Sequence, residues 1–93
     1  MSKHPDRKKK KNMLAKLVRR GKVGEHYTPR EKIYSGIPKE ERGNLELLLD
    51  EMHQAGLIEY HKGKNCVSIN RWNKDKVKKV LKGKVPDYYW ENF

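Results

Sequence analysis

Leu45-Glu46-Leu47-Leu48-Leu49-Asp50-Glu51-Met52-His53-Gln54-Ala55-Gly56-Leu57-Ile58-Glu59-Tyr60-His61 is the stretch in which the spacing of apolar residues changes. Leu45, Leu48, Leu49 and Met52 recur at i, i+3, i+4 and i+7, which lines one face of an α-helix, and Ala55 continues that face. Gly56 followed by Leu57 predicts a left-handed cap with a trailing hydrophobic contact. The helix starts near Pro38 or at Asn44, because Gly43 weakens any continuous helix. From Leu57 the period is two. Leu57-Ile58-Glu59-Tyr60-His61 and Cys66-Val67-Ser68-Ile69-Asn70 flank Lys62-Gly63-Lys64-Asn65, and two alternating runs around a Gly-containing turn make a β-hairpin. Ile58 and Tyr60 are expected to share a face with Val67 and Ile69.

Toward the N-terminus, Thr28-Pro29-Arg30-Glu31 has the form of a capping box, with Thr28 as cap, proline at the first helical position and Glu31 closing the box. That helix is short, since Gly36 and Pro38 stop it, and Ile33 with Tyr34 or Ile37 turns inward. Glu25-His26-Tyr27 suits a brief extended segment. Asn12 is the expected cap of a first helix with Met13, Leu14, Leu17 and Val18 on its apolar stripe and Gly21 at its end. Residues 1–11 carry no apolar residue after Met1 and read as a basic, mobile arm, the domain proper as residues 12–82, and residues 83–93 as an aromatic tail. Toward the C-terminus, Asn73 is the expected cap of a last helix with Val77, Val80 and Leu81 inward and Lys74, Lys76, Lys78, Lys79 and Lys82 outward.

The 93 residues suit one domain with a small core. Apolar residues are 34% and charged residues 38%, with 23 Lys and Arg against 12 Asp and Glu, a net charge of +11. This excess repels itself in the folded state, and an anionic partner relieves it; nucleic acid is the leading class. Residues 1–24 hold ten bases and one acid, residues 25–56 four bases and seven acids, and residues 57–93 nine bases and four acids. The acidic block is the middle. No run of about 18 apolar residues is present to span a membrane, the basic N-terminus lacks the apolar region of a secretory signal, and Cys66 has no second cysteine to pair with. A soluble, cytoplasmic protein is expected.

The order of helix, short helix, turn, longer helix, hairpin and helix resembles winged helix-turn-helix DNA-binding domains, particularly small archaeal, prokaryotic or viral ones, over about residues 12–82. The resemblance rests on Thr28-Pro29-Arg30-Glu31, on Ser35-Gly36-Ile37-Pro38 as the turn, and on Leu48 to Ile58 leading from the third helix into the wing. It implies an α+β fold of three helices followed by a β-hairpin wing and a C-terminal helix. It further implies double-stranded DNA as partner, a role as transcriptional regulator or chromatin-associated factor (on the nucleoid in a prokaryote), and a homodimer, as many relatives form. Carried over, Lys39, Arg42 and Asn44 face the major groove, Thr28 and Arg30 approach phosphates, and Lys62, Lys64 and Asn65 form the wing tip. Lys8, Lys9, Lys10 and Lys11, with Arg19 and Arg20, are the further phosphate contacts expected of the N-terminal segment, and Lys78 and Lys82 those of the last helix.

Glu40, Glu41, Glu46, Asp50 and Glu51 stand against Lys39 and Arg42 on the third helix, and carboxylates repel phosphates. The arm, wing and last helix are therefore the expected contacts, with only the first turn and one edge of the third helix usable. RNA or ribosome association suits the same lysine and aromatic content, and a protein-interaction module suits the acidic helix. Trp72, Tyr88, Tyr89, Trp90 and Phe93 have three readings: Trp72 closing the core beneath the wing with the terminal aromatics docked, a subunit interface, or base stacking. His26, His53, His61 and Cys66 lack zinc-finger spacing, and no nucleophile elbow or phosphate loop appears, so neither metal, cofactor, small-molecule ligand nor enzymatic activity is expected.

Overall fold

The computed structural model describes residues 6–86 and 88–91. Its elements run α1 (Asp6–Arg19), β1 (Thr28–Pro29), α2 (Arg30–Ile33), a 3-10 turn (Lys39–Glu41), α3 (Leu45–Gln54), β2 (Ile58–His61), β3 (Cys66–Ile69), a second 3-10 turn (Arg71–Asn73), α4 (Lys74–Val80) and α5 (Tyr88–Glu91). The fold is α+β, with an antiparallel sheet in the order β1-β3-β2.

The α3–hairpin unit follows the change of period. Leu45, Leu48, Leu49 and Met52 are buried on one face of α3. Gly56 adopts φ +78°, and the Leu57 amide donates back to the Met52 carbonyl at 2.9 Å, closing the helix. Ala55 is exposed, because α3 ends at Gln54 and the chain has already turned at the cap. The hairpin register pairs Ile58 with Ile69 and Tyr60 with Val67, so these side chains share the core face as expected.

The capping box does not form. Thr28 is buried in β1 opposite Val67, and Pro29 opposite Cys66, so strand pairing takes both residues out of the helix. α2 starts only at Arg30 and has no side-chain cap hydrogen bond; the Arg30 amide donates instead to the Asn65 carbonyl at 3.0 Å. The extended segment expected at Glu25-His26-Tyr27 thus falls at Thr28–Pro29.

α1 begins at Asp6, six residues before the expected cap, and Asn12 lies within it. Asp6 suits the positive end of the helix dipole and accepts from Asn44 Nδ2 at 2.8 Å, while Lys9 Nζ donates to Asn44 Oδ1 at 3.3 Å. This clip ties the first turns of α1 to the start of α3 and buries Lys9. Residues 6–11 are consequently helical, not a mobile arm; residues 1–5 of the expected arm lie outside the described residues.

One core unites the elements: Met13, Leu14, Leu17 and Val18 of α1, Ile33 and Ile37 around α2, the α3 face, Val67 and Ile69, and Val77 with Leu81. The tail docks on this body through buried Trp90 and half-buried Tyr89, with α5 packed on α1. Phe93 lies outside the described residues. Among the described residues no helix is long and apolar enough to cross a membrane.

Candidate nucleic-acid interface

The outward face of α3 carries Glu46, Leu47, Asp50 and Glu51, and each of its acids meets a base from another element. Glu46 pairs with Arg30 of α2 at 3.5 Å, Asp50 with Lys64 of the hairpin turn at 3.5 Å, and Glu51 with Lys10 of α1 at 3.0 Å. Asp50 also accepts from the Tyr60 hydroxyl at 2.5 Å. That hydrogen bond, with help from Lys64, holds the Asp50 carboxyl below the usual carboxylate range. Burial first, then the bond to Asp50, pushes the Tyr60 hydroxyl far above its ordinary value.

The hairpin turn is therefore tied to the body on one side, although Lys62, Gly63, Lys64 and Asn65 are all exposed. Lys64 pairs with Asp50 and lies 5.5 Å from the Tyr60 ring centroid, and the Asn65 carbonyl accepts from the Arg30 amide. The turn holds Lys62, Gly63 and Lys64 at φ of 55°, 63° and 77°, so two lysines occupy the left-handed region usually left to glycine. Lys62 and the Asn65 side chain stay exposed.

Several other expected contacts prove to be internal. Thr28 and Lys9 are buried. Asn44 is held between Asp6 and Lys9, so its side chain faces α1 rather than a groove. Arg42 Nε donates to the Ile37 carbonyl at 2.8 Å and closes the turn between α2 and α3. Arg30, Lys10 and Lys64 are ion-paired to α3 as above, and Arg19 Nη2 donates to the Lys84 carbonyl at 3.3 Å. Lys8, Arg20, Lys39, Lys78 and Lys82 remain exposed, and Lys11 half-buried.

The structure brings together what the sequence keeps about seventy residues apart. Arg7, Lys10 and Lys11 of α1 and Lys79 of α4 line a groove of about 440 Å³ whose remaining walls are Leu14, Leu57 and Val80. Among the described residues no carboxylate lines it. Lys79 is shared with a second depression lined by Asp75, Lys78 and Lys82, so the basic surface continues along α4. Two anchors fix the start of α4 on the end of α3: Asn73 Nδ2 donates to the Gly56 carbonyl at 2.8 Å, and Lys76 Nζ donates to the Ala55 carbonyl at 2.5 Å. Asn73 thus caps the end of α3 and makes no side-chain cap for α4. Arg7 and Lys79 belong to the arm and the last helix expected to make contacts, without being singled out there; only the fold brings them to one groove.

A second cluster lies at the turn after α2. Lys16 Nζ donates to Ser35 Oγ at 2.6 Å and lies close over Gly36. Partial burial, then the like charges of Arg20 and Arg42, lower the Lys16 ammonium below its ordinary value.

The histidines are occupied elsewhere. Ser68 Oγ donates to the Gly24 carbonyl at 2.8 Å and so accepts from His61 Nε2, 3.0 Å away, while Tyr27 stacks on the His61 ring at 4.5 Å. His53 packs against Tyr60 at 4.8 Å. Among the described residues no three His, Cys, Asp or Glu side chains gather as a metal site would require. Comparison with known proteins finds no family model, no curated relative and no solved structure that matches the chain.

Proposed function

We propose that this chain is a DNA-binding protein of the winged helix-turn-helix kind, holding the phosphate backbone of duplex DNA in the basic groove between α1 and α4. The order of helices and hairpin supports the winged-helix reading, as does the register that puts Ile58 and Tyr60 opposite Ile69 and Val67. The observation that carries the functional reading is the groove itself: Arg7, Lys11 and Lys79 from two distant segments, beside a Lys10 already paired with Glu51, and no carboxylate among the described residues lining it. Bringing like charges together costs self-repulsion, and a polyanion removes that cost while releasing its own counterions. Along this surface Lys8, Lys78 and Lys82 extend the phosphate contacts. α3 has a supporting role, because its acids are neutralised inside the molecule rather than presented to a base edge.

The test is the salt dependence of duplex binding. If about six phosphates are neutralised, affinity falls on the order of a thousandfold between 50 and 200 mM salt. A flat response would remove the electrostatic premise.

One observation favours a second reading. Leu47 is 60% exposed in the middle of the α3 acids, as in a protein-interaction surface. That reading gains if the chain is not retained on any nucleic acid at 50 mM salt.

A further inference from the structure

Trp72 is 81% exposed, the largest exposure among the big apolar side chains described, whereas Trp90 is 4% exposed. Of the three readings given for Trp72, the one that closes the core beneath the wing fails: the residue lies on the 3-10 turn between β3 and α4, with its ring in solvent. Cations outnumber acids around it, although the Glu59 carboxylate accepts from the Arg71 amide at 3.5 Å. The Arg71 guanidinium is 5.5 Å from the ring centroid, and α4 begins two residues later with its run of lysines. Three residues past Trp72, Asp75 opens the depression that Lys78, Lys79 and Lys82 complete.

The turn that carries the ring is fixed at both ends. The Trp72 amide donates to Asn70 Oδ1 at 3.0 Å, and Asn73 is anchored on the Gly56 carbonyl at 2.8 Å. Arg71 lies against Gly24, where an added Cβ would meet its side chain at 3.0 Å. The backbone under the indole is thus held before any ligand arrives, which lowers the ordering cost of using it.

An exposed, pre-placed aromatic face next to a guanidinium and a lysine helix fits a ligand that is both planar and anionic. We infer that Trp72, with Arg71, is a stacking platform for an unpaired nucleobase of a strand whose phosphates run along α4. This inference rests on the nucleic-acid reading above and narrows it from plain duplex to duplex with an unpaired end or gap. A stack needs only a π-face, so the platform is tolerant of base identity. A protein partner on the same ring is the competing occupant, and the Arg71 and α4 cations count against it for any basic surface.

The experiment compares a blunt duplex with the same duplex carrying a short single-stranded overhang, at 100 mM salt, using the full chain. Wild-type protein is expected to bind the overhang form between about five- and a hundredfold more tightly, the range that one stacked base supplies. Trp72→Ala should lose that preference while keeping blunt-duplex affinity, and Trp72→Phe should retain most of it. Trp72 fluorescence should be quenched by the overhang duplex far more than by the blunt one, a readout that needs no variant because Trp90 is buried. Equal binding of both duplexes by wild type, no selective quenching, or an intact preference in Trp72→Ala would each overturn the platform while leaving duplex binding in place. Absence of binding to either duplex would overturn the nucleic-acid reading and the platform with it.

Discussion

On α3, three carboxylates face three bases brought in from α1, α2 and the hairpin turn; across the groove between α1 and α4, Arg7, Lys11 and Lys79 meet no acid on the walls. Both regions are densely charged, and along the chain the acidic one looks the more conspicuous. In the folded molecule it is close to neutral, and the groove holds the available charge. Net charge per segment therefore tells less about a binding surface than which charges remain without a partner after folding. Exposed pairs such as those on α3 add little to stability, because solvent screens them. Their larger effect here is to occupy Lys10, Arg30 and Lys64 within the molecule.

Reversing the groove gives the largest expected effect. Arg7→Glu combined with Lys79→Glu turns two attractions into two repulsions and should weaken duplex binding at least a hundredfold at 100 mM salt. Both side chains are exposed, so the melting temperature should barely move. Glu46→Gln with Glu51→Gln should leave binding unchanged or improve it, since the freed Arg30 and Lys10 become available. The comparison breaks if the α3 pair abolishes binding and the groove pair does not.

The seam between the regions gives the next effect. Gly56 has φ +78°, and a Cβ there would lie 2.7 Å from Asn73 Nδ2. Gly56→Ala should destabilise the fold by about 1–3 kcal/mol, combining left-handed strain with loss of the Asn73 bond, as read from urea unfolding. An unchanged midpoint would mean that α4 is not held through this contact.

The smallest effect concerns pH. Asp50 has a lowered folded pKa, so its contribution to stability is present above its unfolded value near 4 and is lost as pH falls below it. Tyr60 has a raised pKa, so its contribution is present below about 10 and is lost as pH rises beyond it. Melting temperature should be level between about pH 5 and 9 and fall on both sides. Tyr60→Phe should flatten both falls. Identical profiles for the two proteins would show that the Tyr60–Asp50 bond does not contribute.

The hairpin and the end of α3 were legible because local spacing decides them: alternation sets which strand face is buried, and Gly56 supplies a conformation few other residues accept. Thr28–Pro29 was misread because a capping box and a two-residue strand look alike until Val67 offers a strand partner. The Asp6–Asn44–Lys9 clip was invisible for a similar reason, since its members are 35 and 38 residues apart. The place of Trp72 was not legible, since core, interface and stacking readings all suited an aromatic there; the core is closed without it, and Trp90 is the tryptophan that enters it. Of the candidate interface, the lysines of α1 and α4 were each visible as runs of bases, whereas their meeting in one groove depends on α4 returning to α1.

Amide chemical-shift mapping with a short duplex at low salt would report residue by residue which surface DNA touches. The largest changes should fall on Arg7 to Leu14 and Lys74 to Lys82, with Leu45 to Gln54 little affected. Changes concentrated on Leu45 to Gln54, with the α1–α4 groove silent, would contradict the account and return the binding surface to the third helix.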